Sequence, residues 1–306
     1  MKVLVATEKP FAAAAVKGIR KEIEGAGNEL VLLEKYTDKK QLLDAVGDVD
    51  AMIIRSDKVD AEVLDAAKNL KIVVRAGAGY DNIDLDSASA HNVVAENTPG
   101  QNANAVAELV FGLLVYAVRN FYNGTSGTEL LGKKLGILAF GNVGRNVARI
   151  AKGFGMEVFA YDAYCPKTVI EAAGVKAVNT QEELFEVADI VSLHIPATPE
   201  TVRSINHDLV NKLPHGGILV NTARKEVIDE DGLLKLLEER DDMRYVTDIM
   251  PVAIDDFKKF DGRFFSTPKK MGAQTAEANV NAGIAAARQI NAFFQNGDTK
   301  FQVNKK

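Results

Sequence analysis

The stretch KKLGILAFGNVGRNVARIAKGFGMEVFAYD, Lys133 to Asp162, decides how the chain is read. An apolar run, Leu135 to Phe140, ends in a glycine-bearing turn. A helical pattern carrying Val143, Val147, Ile150 and Ala151 follows, and a second apolar run, Val158 to Tyr161, ends at Asp162. Strand, turn, helix, strand and acid is the order a dinucleotide site needs. The turn lets backbone approach a pyrophosphate, the helix N-terminus offers free N–H groups and partial positive charge, and the acid binds ribose hydroxyls. Asp162 follows Gly144 by 18 residues, against ~20 expected from fingerprint to acid. The first glycine of the GxGxxG fingerprint is Ala139 here, while Gly141, which allows the close phosphate approach, and Gly144 are kept. Gly141, Asn142, Val143 and Gly144 are therefore candidate pyrophosphate contacts. A carboxylate at Asp162 favours NAD over NADP, because it repels a 2′-phosphate. The competing reading is a glycine turn used only for packing.

Working outward, 306 residues suggest about two domains. The composition, 47% hydrophobic and 26% charged, supplies apolar material for two cores. A net charge of −5 gives no electrostatic case for nucleic acid, which calls for a basic face. No apolar run approaches the ~20 residues of a membrane span, and MKVLVATEKP lacks a signal-peptide layout, so the expected location is the cytoplasm, with no membrane partner. The single cysteine, Cys165, excludes an internal disulfide framework and a cysteine metal cluster. No histidine group has metal-ligand spacing, so no metal is expected.

Short apolar runs at Val3–Ala6, Leu30–Leu33, Ala51–Ile54, Ile72–Val74 and Val93–Ala95 alternate with helical or polar stretches, such as the helix expected at Ala12–Glu24. The same rhythm resumes after Asp162 at Ile190–Ile195, Ile218–Asn221 and Tyr245–Asp248, with helices near Gln181–Val187 and Asp229–Arg240. Alternation of this kind predicts parallel sheets with helices on both faces, an α/β fold. Between the two α/β units a helix from about Asn102 to Arg119 is apolar on most of its circumference, which predicts burial at the domain boundary. A final helix at about Glu277–Phe294 and a short run, Phe301–Val303, are expected to return to the first unit. The predicted division is 1–97 plus 277–306 for one domain and 98–276 for the nucleotide domain.

The ordered motifs RAGAGYDNID at 75 to 84, NTPGQN at 97 to 102, VAELV at 106 to 110, the nucleotide unit, LHIP at 193 to 196, NTAR at 221 to 224 and GAQTAEAN at 272 to 279 span nearly the whole chain. Together they resemble the D-2-hydroxyacid dehydrogenase family, most closely its short phosphoglycerate-oxidising forms. The resemblance implies two doubly wound domains, a flavodoxin-like substrate domain built from both chain ends and a Rossmann nucleotide domain, with a cleft between them. It also implies a homodimer through the nucleotide domain, and NAD-dependent oxidation of D-3-phosphoglycerate to 3-phosphohydroxypyruvate, the entry step of L-serine synthesis. The chain ends soon after the returning helix, so serine inhibition through an additional regulatory domain is not expected.

The resemblance makes Arg224 the catalytic arginine. It follows an apolar strand, where ligands of open α/β sheets bind, and a guanidinium there can clamp the C1 carboxylate of a 2-hydroxy acid, the alternative being a surface arginine that begins the next helix. Small residues at Ala76, Gly77, Ala78 and Gly79 offer backbone N–H groups to carboxylate or phosphate oxygens. Arg55 and Arg75 are candidates for a distal phosphate, with ordinary surface arginines as the alternative, and Asn102 is a further substrate candidate. Val106, Thr222 and Ala223 join the cofactor candidates, with Asp248, by its family position, for the nicotinamide carboxamide, against an acid that only caps a turn, and His194 with Pro196 for the adenine pocket. His91, His207 and His215 sit in polar or turn contexts.

One departure is chemical. Most members carry a histidine shortly after TP and a glutamate partner. STPKKMGAQT at 266 to 275 has no histidine, and Ala253 stands at the glutamate's place. Lys270 aligns with the histidine, and Lys269 reads as an inserted neighbour. A lysine acts as a base only as a neutral amine, so the ordinary pKa of ~10.4 must be lowered by burial and nearby cations. Lys270 is thus the expected acid/base, with a solvated lysine pair as the alternative. Two other functions remain open: a glyoxylate or hydroxypyruvate reductase, and a non-catalytic NAD-binding interaction protein.

Overall fold

The structure is a computed structural model and describes residues 1–305. The chain forms two compact units, 1–102 with 274–306, and 103–273. Each is built on a parallel sheet, as the alternation of apolar runs and helices predicts. Among the described residues no helix is long and apolar enough to cross a membrane.

The first unit holds β1 (Lys2–Thr7), β2 (Glu29–Glu34), β3 (Ala51–Ile54), β4 (Ile72–Arg75) and β5 (Val94–Asn97), in the order β2-β1-β3-β4-β5. All four pairings are parallel, and the order is that of a flavodoxin-like doubly wound sheet. Side chains alternate between two cores, one around Leu4, Met52, Ile54 and Val73, the other around Val3, Val5, Ile53 and Val74. Strands buried on both faces need continuous apolar runs, and these strands have them. The helix Ala276–Asn296 brings the chain back to this unit, capped by Thr275 at its start and closed by Gly297 at φ 68°. It lies against the helix Ala13–Gly25 at close range. A Cβ on Gly18 would meet Ile284 at 2.6 Å, and one on Gly283 would meet Ile19 at 3.0 Å. After Gly297 the run Phe301–Val303 forms no strand of its own: Gln302 makes a single antiparallel bridge to Glu96, and Val303 N donates to Ala95 O.

The second unit holds β6 (Lys134–Leu138), β7 (Glu157–Tyr161), β8 (Lys176–Ala177), β9 (Ile190–Leu193), β10 (Ile218–Asn221), β11 (Arg244–Thr247) and β12 (Phe264–Ser266). Their order is β12-β11-β10-β9-β6-β7-β8, again all parallel. This is the Rossmann arrangement with one strand added at the far edge, and its direction of winding reverses between β6 and β9. The edge strands β8 and β12, two and three residues long, carry too short an apolar run to be read from sequence. The helix Ala103–Val118 packs on the helix Asn142–Gly153 and buries nine of its sixteen residues, yet Asn104, Glu108 and Gly112 form an exposed stripe. Its burial therefore stops short of the full circumference.

Candidate active site

In the second unit, β6 ends at Leu138 because Ala139 turns to φ 80°, a left-handed conformation that glycine would adopt without steric cost. The helix Asn142–Gly153 starts at Gly141, which provides no side-chain cap, so its first N–H groups are left for another acceptor. A Cβ at Gly141 would meet nothing within 4 Å, whereas one at Gly144 would meet the Ala139 carbonyl oxygen at 2.3 Å. One glycine therefore faces open space and the other lets helix and turn close on each other. Asp162, at the end of β7, accepts from Phe140 N at 2.6 Å through Oδ2 and from Tyr164 N and Cys165 N at 2.8 Å through Oδ1. The carboxylate thus ties the turn to the neighbouring strand, and Oδ2 keeps acceptor capacity for a hydroxyl.

At the carboxyl ends of β9, β10 and β11 the remaining candidates gather. His194 donates its backbone N–H to Leu138 O, and its Nε2 lies 3.0 Å from Ser192 Oγ. The residue is half-buried, but its ring is enclosed enough that burial alone pushes its pKa down to about 3, so the imidazole is neutral at physiological pH. Pro196 lies exposed in the following loop, where its carbonyl accepts from Thr201 Oγ1. Thr222 and Ala223 are buried behind β10, and Thr222 Oγ1 has no hydrogen-bond partner. Asp248 is fully buried. Its Oδ2 accepts from Gly272 N at 2.7 Å, while Oδ1 is unpartnered, and burial raises its pKa. Gly272 has to be glycine for this packing, because a Cβ there would lie 2.8 Å from Asp248 Oδ2 and 3.2 Å from Val106.

These features fit NAD: an uncapped helix start beside an open glycine, a carboxylate with a free lone pair, and two orphaned buried polar atoms, Thr222 Oγ1 and Asp248 Oδ1. Val106, Gly141, Asn142, Val143, Gly144, Asp162, His194, Pro196, Thr222, Ala223 and Asp248 all lie in this unit.

Arg224 and Lys270, 46 residues apart in the chain, meet at one atom. Arg224 Nη1 donates to Ala223 O at 2.9 Å, and Lys270 Nζ donates to the same oxygen at 3.2 Å. Arg224 is exposed and makes no ion pair among the described residues, so its guanidinium is available to a ligand carboxylate. Lys270 is exposed as a residue, but its amine is sheltered. Burial first and the Arg224 cation second lower its pKa, against the smaller opposing pull of Asp248 and Glu226. Lys269, by contrast, is exposed, and only its carbonyl is engaged, by Thr267 Oγ1.

In the first unit, Arg55 and Arg75 follow β3 and close β4. Arg75 Nε donates to Arg55 O at 3.0 Å. Arg55 reaches Lys9 O, Pro10 O and Asn279 Oδ1 and lies over the Phe11 ring. Both are half-buried, and neither makes an ion pair among the described residues. Burial lowers the pKa of each, and for Arg75 the neighbouring Arg55 cation adds to it. Gly77 sits at φ 153°, a backbone conformation that L side chains rarely adopt, and a Cβ there would also displace the Arg75 guanidinium, whose Nη1 would lie 1.5 Å away. Two of the four loop N–H groups are already engaged: Ala76 N donates to Ile54 O and Gly77 N to Arg75 O. The donors open to a ligand are those of Ala78 and Gly79, with Asn97 fixing the loop through Ala78 O. Asn102 is the last residue of this unit before the chain crosses to the second.

Three residues escaped the sequence reading as site components. Gly272 and Asn221 lie inside quoted motifs, GAQT and NTAR, so a signal existed. Thr247, fully buried and donating to Asn221 O, gave none beyond its position at a strand end. Away from the site, His91 pairs with Asp65 and His207 with Asp208 and Glu239. Cys165 lies 3.6 Å from Arg145 Nη2.

A family model described as D-isomer specific 2-hydroxyacid dehydrogenase, NAD binding domain, matches residues 116–259, all within the second unit. A D-3-phosphoglycerate dehydrogenase of Methanocaldococcus jannaschii is 36% identical over 269 residues, covering 82% of this chain and 51% of that protein. A hydroxypyruvate reductase of Thermotoga maritima is 36% identical over 282 residues, covering 86% of this chain and 90% of the other. The chain thus spans about half the length of the phosphoglycerate dehydrogenase and most of the reductase. Among solved structures, an NAD+-bound 3-phosphoglycerate dehydrogenase of Entamoeba histolytica superposes with a TM-score of 0.85 at 48% identity, covering 100% of this chain and 99% of that one. With the relatives matched over this extent and the nucleotide unit matched by the model, the chain belongs to the D-isomer specific 2-hydroxyacid dehydrogenase family.

Proposed function

We propose that the protein is an NAD-dependent dehydrogenase that oxidises D-3-phosphoglycerate to 3-phosphohydroxypyruvate, in the service of L-serine synthesis. The observation that carries this reading is the convergence of Arg224 and Lys270 on Ala223 O. The Arg224 guanidinium takes the C1 carboxylate by two parallel hydrogen bonds and so fixes the C2 carbon. Lys270, as a neutral amine, removes the C2 hydroxyl proton; as an ammonium, it returns that proton to the carbonyl in the reverse direction. NAD, when bound, supplies the acceptor for the C2 hydride at nicotinamide C4. Asp248 Oδ1 and Thr222 Oγ1, buried without partners, would hold its carboxamide, with Val106 and Ala223 beside the ring, and His194 and Pro196 would border its adenosine. Because the Lys270 pKa is lowered, oxidation rises with pH through that lowered value, and reduction falls over the same range.

Arg55 and Arg75 take the terminal phosphate, aided by the free N–H groups of Ala78 and Gly79 and by Asn102. Two adjoining half-buried guanidinium groups that make no ion pair among the described residues, with Asp57 and Asp81 acting on them only through space, favour a dianion. The first unit is accordingly the substrate domain and the second the nucleotide domain. Assembly as a homodimer through the second unit, which rests on the family resemblance, and the cytoplasmic location expected from the sequence belong to the same proposal. A second reading, reduction of glyoxylate or hydroxypyruvate, is favoured by the Thermotoga relative matched over 90% of its length. Steady-state NADH oxidation with 3-phosphohydroxypyruvate, hydroxypyruvate and glyoxylate separates the two. The phosphorylated substrate is expected to have the highest kcat/KM, and Arg75→Ala to lose ~10²-fold or more for it alone, on the scale of a charged contact removed. Equal or better use of hydroxypyruvate, unaffected by that substitution, would support the reductase.

A further inference from the structure

Asn221 closes β10 and is completely buried. Its side-chain amide makes two hydrogen bonds within the turn that follows. Oδ1 accepts from Ala223 N at 2.9 Å, and Nδ2 donates to Arg224 O at 3.0 Å. The peptide link between Ala223 and Arg224 is therefore held on both sides by one amide. The atom left pointing outward is Ala223 O, the shared acceptor of Arg224 Nη1 and Lys270 Nζ. The backbone carbonyl of Asn221 is fixed in turn by Thr247 Oγ1 at 2.8 Å and Asp248 N at 3.2 Å. Thr247 Oγ1 also accepts from Ile249 N at 2.9 Å, so the turn after β10 and the turn after β11 are locked together.

We infer that Asn221 is the positioning residue of this site, holding the Ala223 carbonyl so that it sets the mutual geometry of Arg224 and Lys270. The inference rests on the acid/base role proposed for Lys270. A carbonyl suits the task better than a carboxylate would. It accepts one N–H of the amine in either protonation state, leaving the lone pair of the neutral form for substrate, and adds no net negative charge that would hold the proton on nitrogen. An amide suits position 221 for a related reason. One donor and one acceptor on separate atoms of a rigid plane satisfy an N–H and a C=O two and three residues ahead; an ionised carboxylate has no donor, and a hydroxyl carries both functions on a single atom.

The test uses Asn221→Ala and Asn221→Asp in the full chain. Asn221→Asp keeps an acceptor for Ala223 N but loses the donor to Arg224 O, and it serves if the alanine variant does not fold. NADH affinity is read by fluorescence, and kcat for reduction of 3-phosphohydroxypyruvate is followed against pH. The expected result is a fall in kcat on the order of 10²-fold, as for an ångström-scale misplacement of a catalytic group. The NADH Kd should stay within about twofold, and the kinetic limb belonging to Lys270 should move toward the free-lysine value as the amine leaves its shelter. A kcat within about threefold of the parent, or a loss of kcat with that limb unmoved, overturns the inference. Lys270→Met is measured alongside. Turnover surviving in it defeats the acid/base reading and this inference together, whereas turnover lost in it but normal in both Asn221 variants defeats this inference alone.

Discussion

A methyl group added at Gly144 would meet the carbonyl oxygen of Ala139 at 2.3 Å, with Ile137 only 3.1 Å away on the other side. Neither obstacle is the free end of a flexible side chain, so Gly144→Ala must push the helix Asn142–Gly153 away from the turn that precedes it. The expected cost is about 1–3 kcal/mol, typical of overpacking, with at least a tenfold rise in the NADH Kd, since the displaced N–H groups are those proposed to meet the pyrophosphate. Thermal denaturation and NADH titration check this, and an unchanged Kd would remove the turn from the proposed cofactor site. At this scale the sequence was informative where a residue type is chemically demanding. Gly141, Gly144, Asp162 and Arg224 could be picked out because few residues can do what those places require. Asn221 and Gly272 could not be assigned roles in the same way. Their importance comes from a carbonyl and a carboxylate brought close by the folded turn, a proximity that no spacing in the chain encodes.

The elements read from apolar runs were those with both faces buried, such as β3, β4, β9 and β10. Elements that depend on partners supplied by folding were not legible. The two-residue β8 and three-residue β12 exist because a neighbouring strand offers a ladder. Phe301–Val303 resembles a strand in composition but only brushes the edge of β5, where Glu96 is 1% exposed. The Glu96 Oε1 is buried without a partner. Burial and the nearby Asp298 push its pKa up to about 7, against weaker opposition from Phe301 N and Lys305. The folded chain therefore keeps this proton up to about pH 7, while the unfolded chain releases it near 4.5. Between those values the unfolded state binds fewer protons, so this group lowers stability as pH rises through the window, with no further loss above it. Glu96→Gln, which stays neutral, should be more stable than the parent at pH 8 and differ little from it at pH 4.5. Tm measured at both pH values tests this, and a glutamine variant less stable at pH 8 would contradict it.

On the scale of the whole molecule, two parallel sheets follow from alternating runs that any reader of the chain can mark, whereas the doubly wound form of each sheet was implied only by the family resemblance. The last helix and its stop at Gly297 could be marked in the chain, but that it packs on the first unit is seen only in the fold. The chemistry was legible only in part. The sequence presented two adjacent lysines with nothing to choose between them but alignment, whereas in the fold Lys270 alone reaches Ala223 O. The central claim is that this lysine, sheltered beside Arg224, moves the proton. Lys270→Met keeps the length and apolar stem of the side chain and removes only the amine. The most direct measurement is steady-state reduction of 3-phosphohydroxypyruvate by this variant, with NADH binding measured on the same preparation. NADH affinity within about twofold of the parent and turnover reduced by ~10²–10⁴-fold, the usual contribution of a general acid or base, is the predicted result. Turnover within about tenfold of the parent would contradict the account.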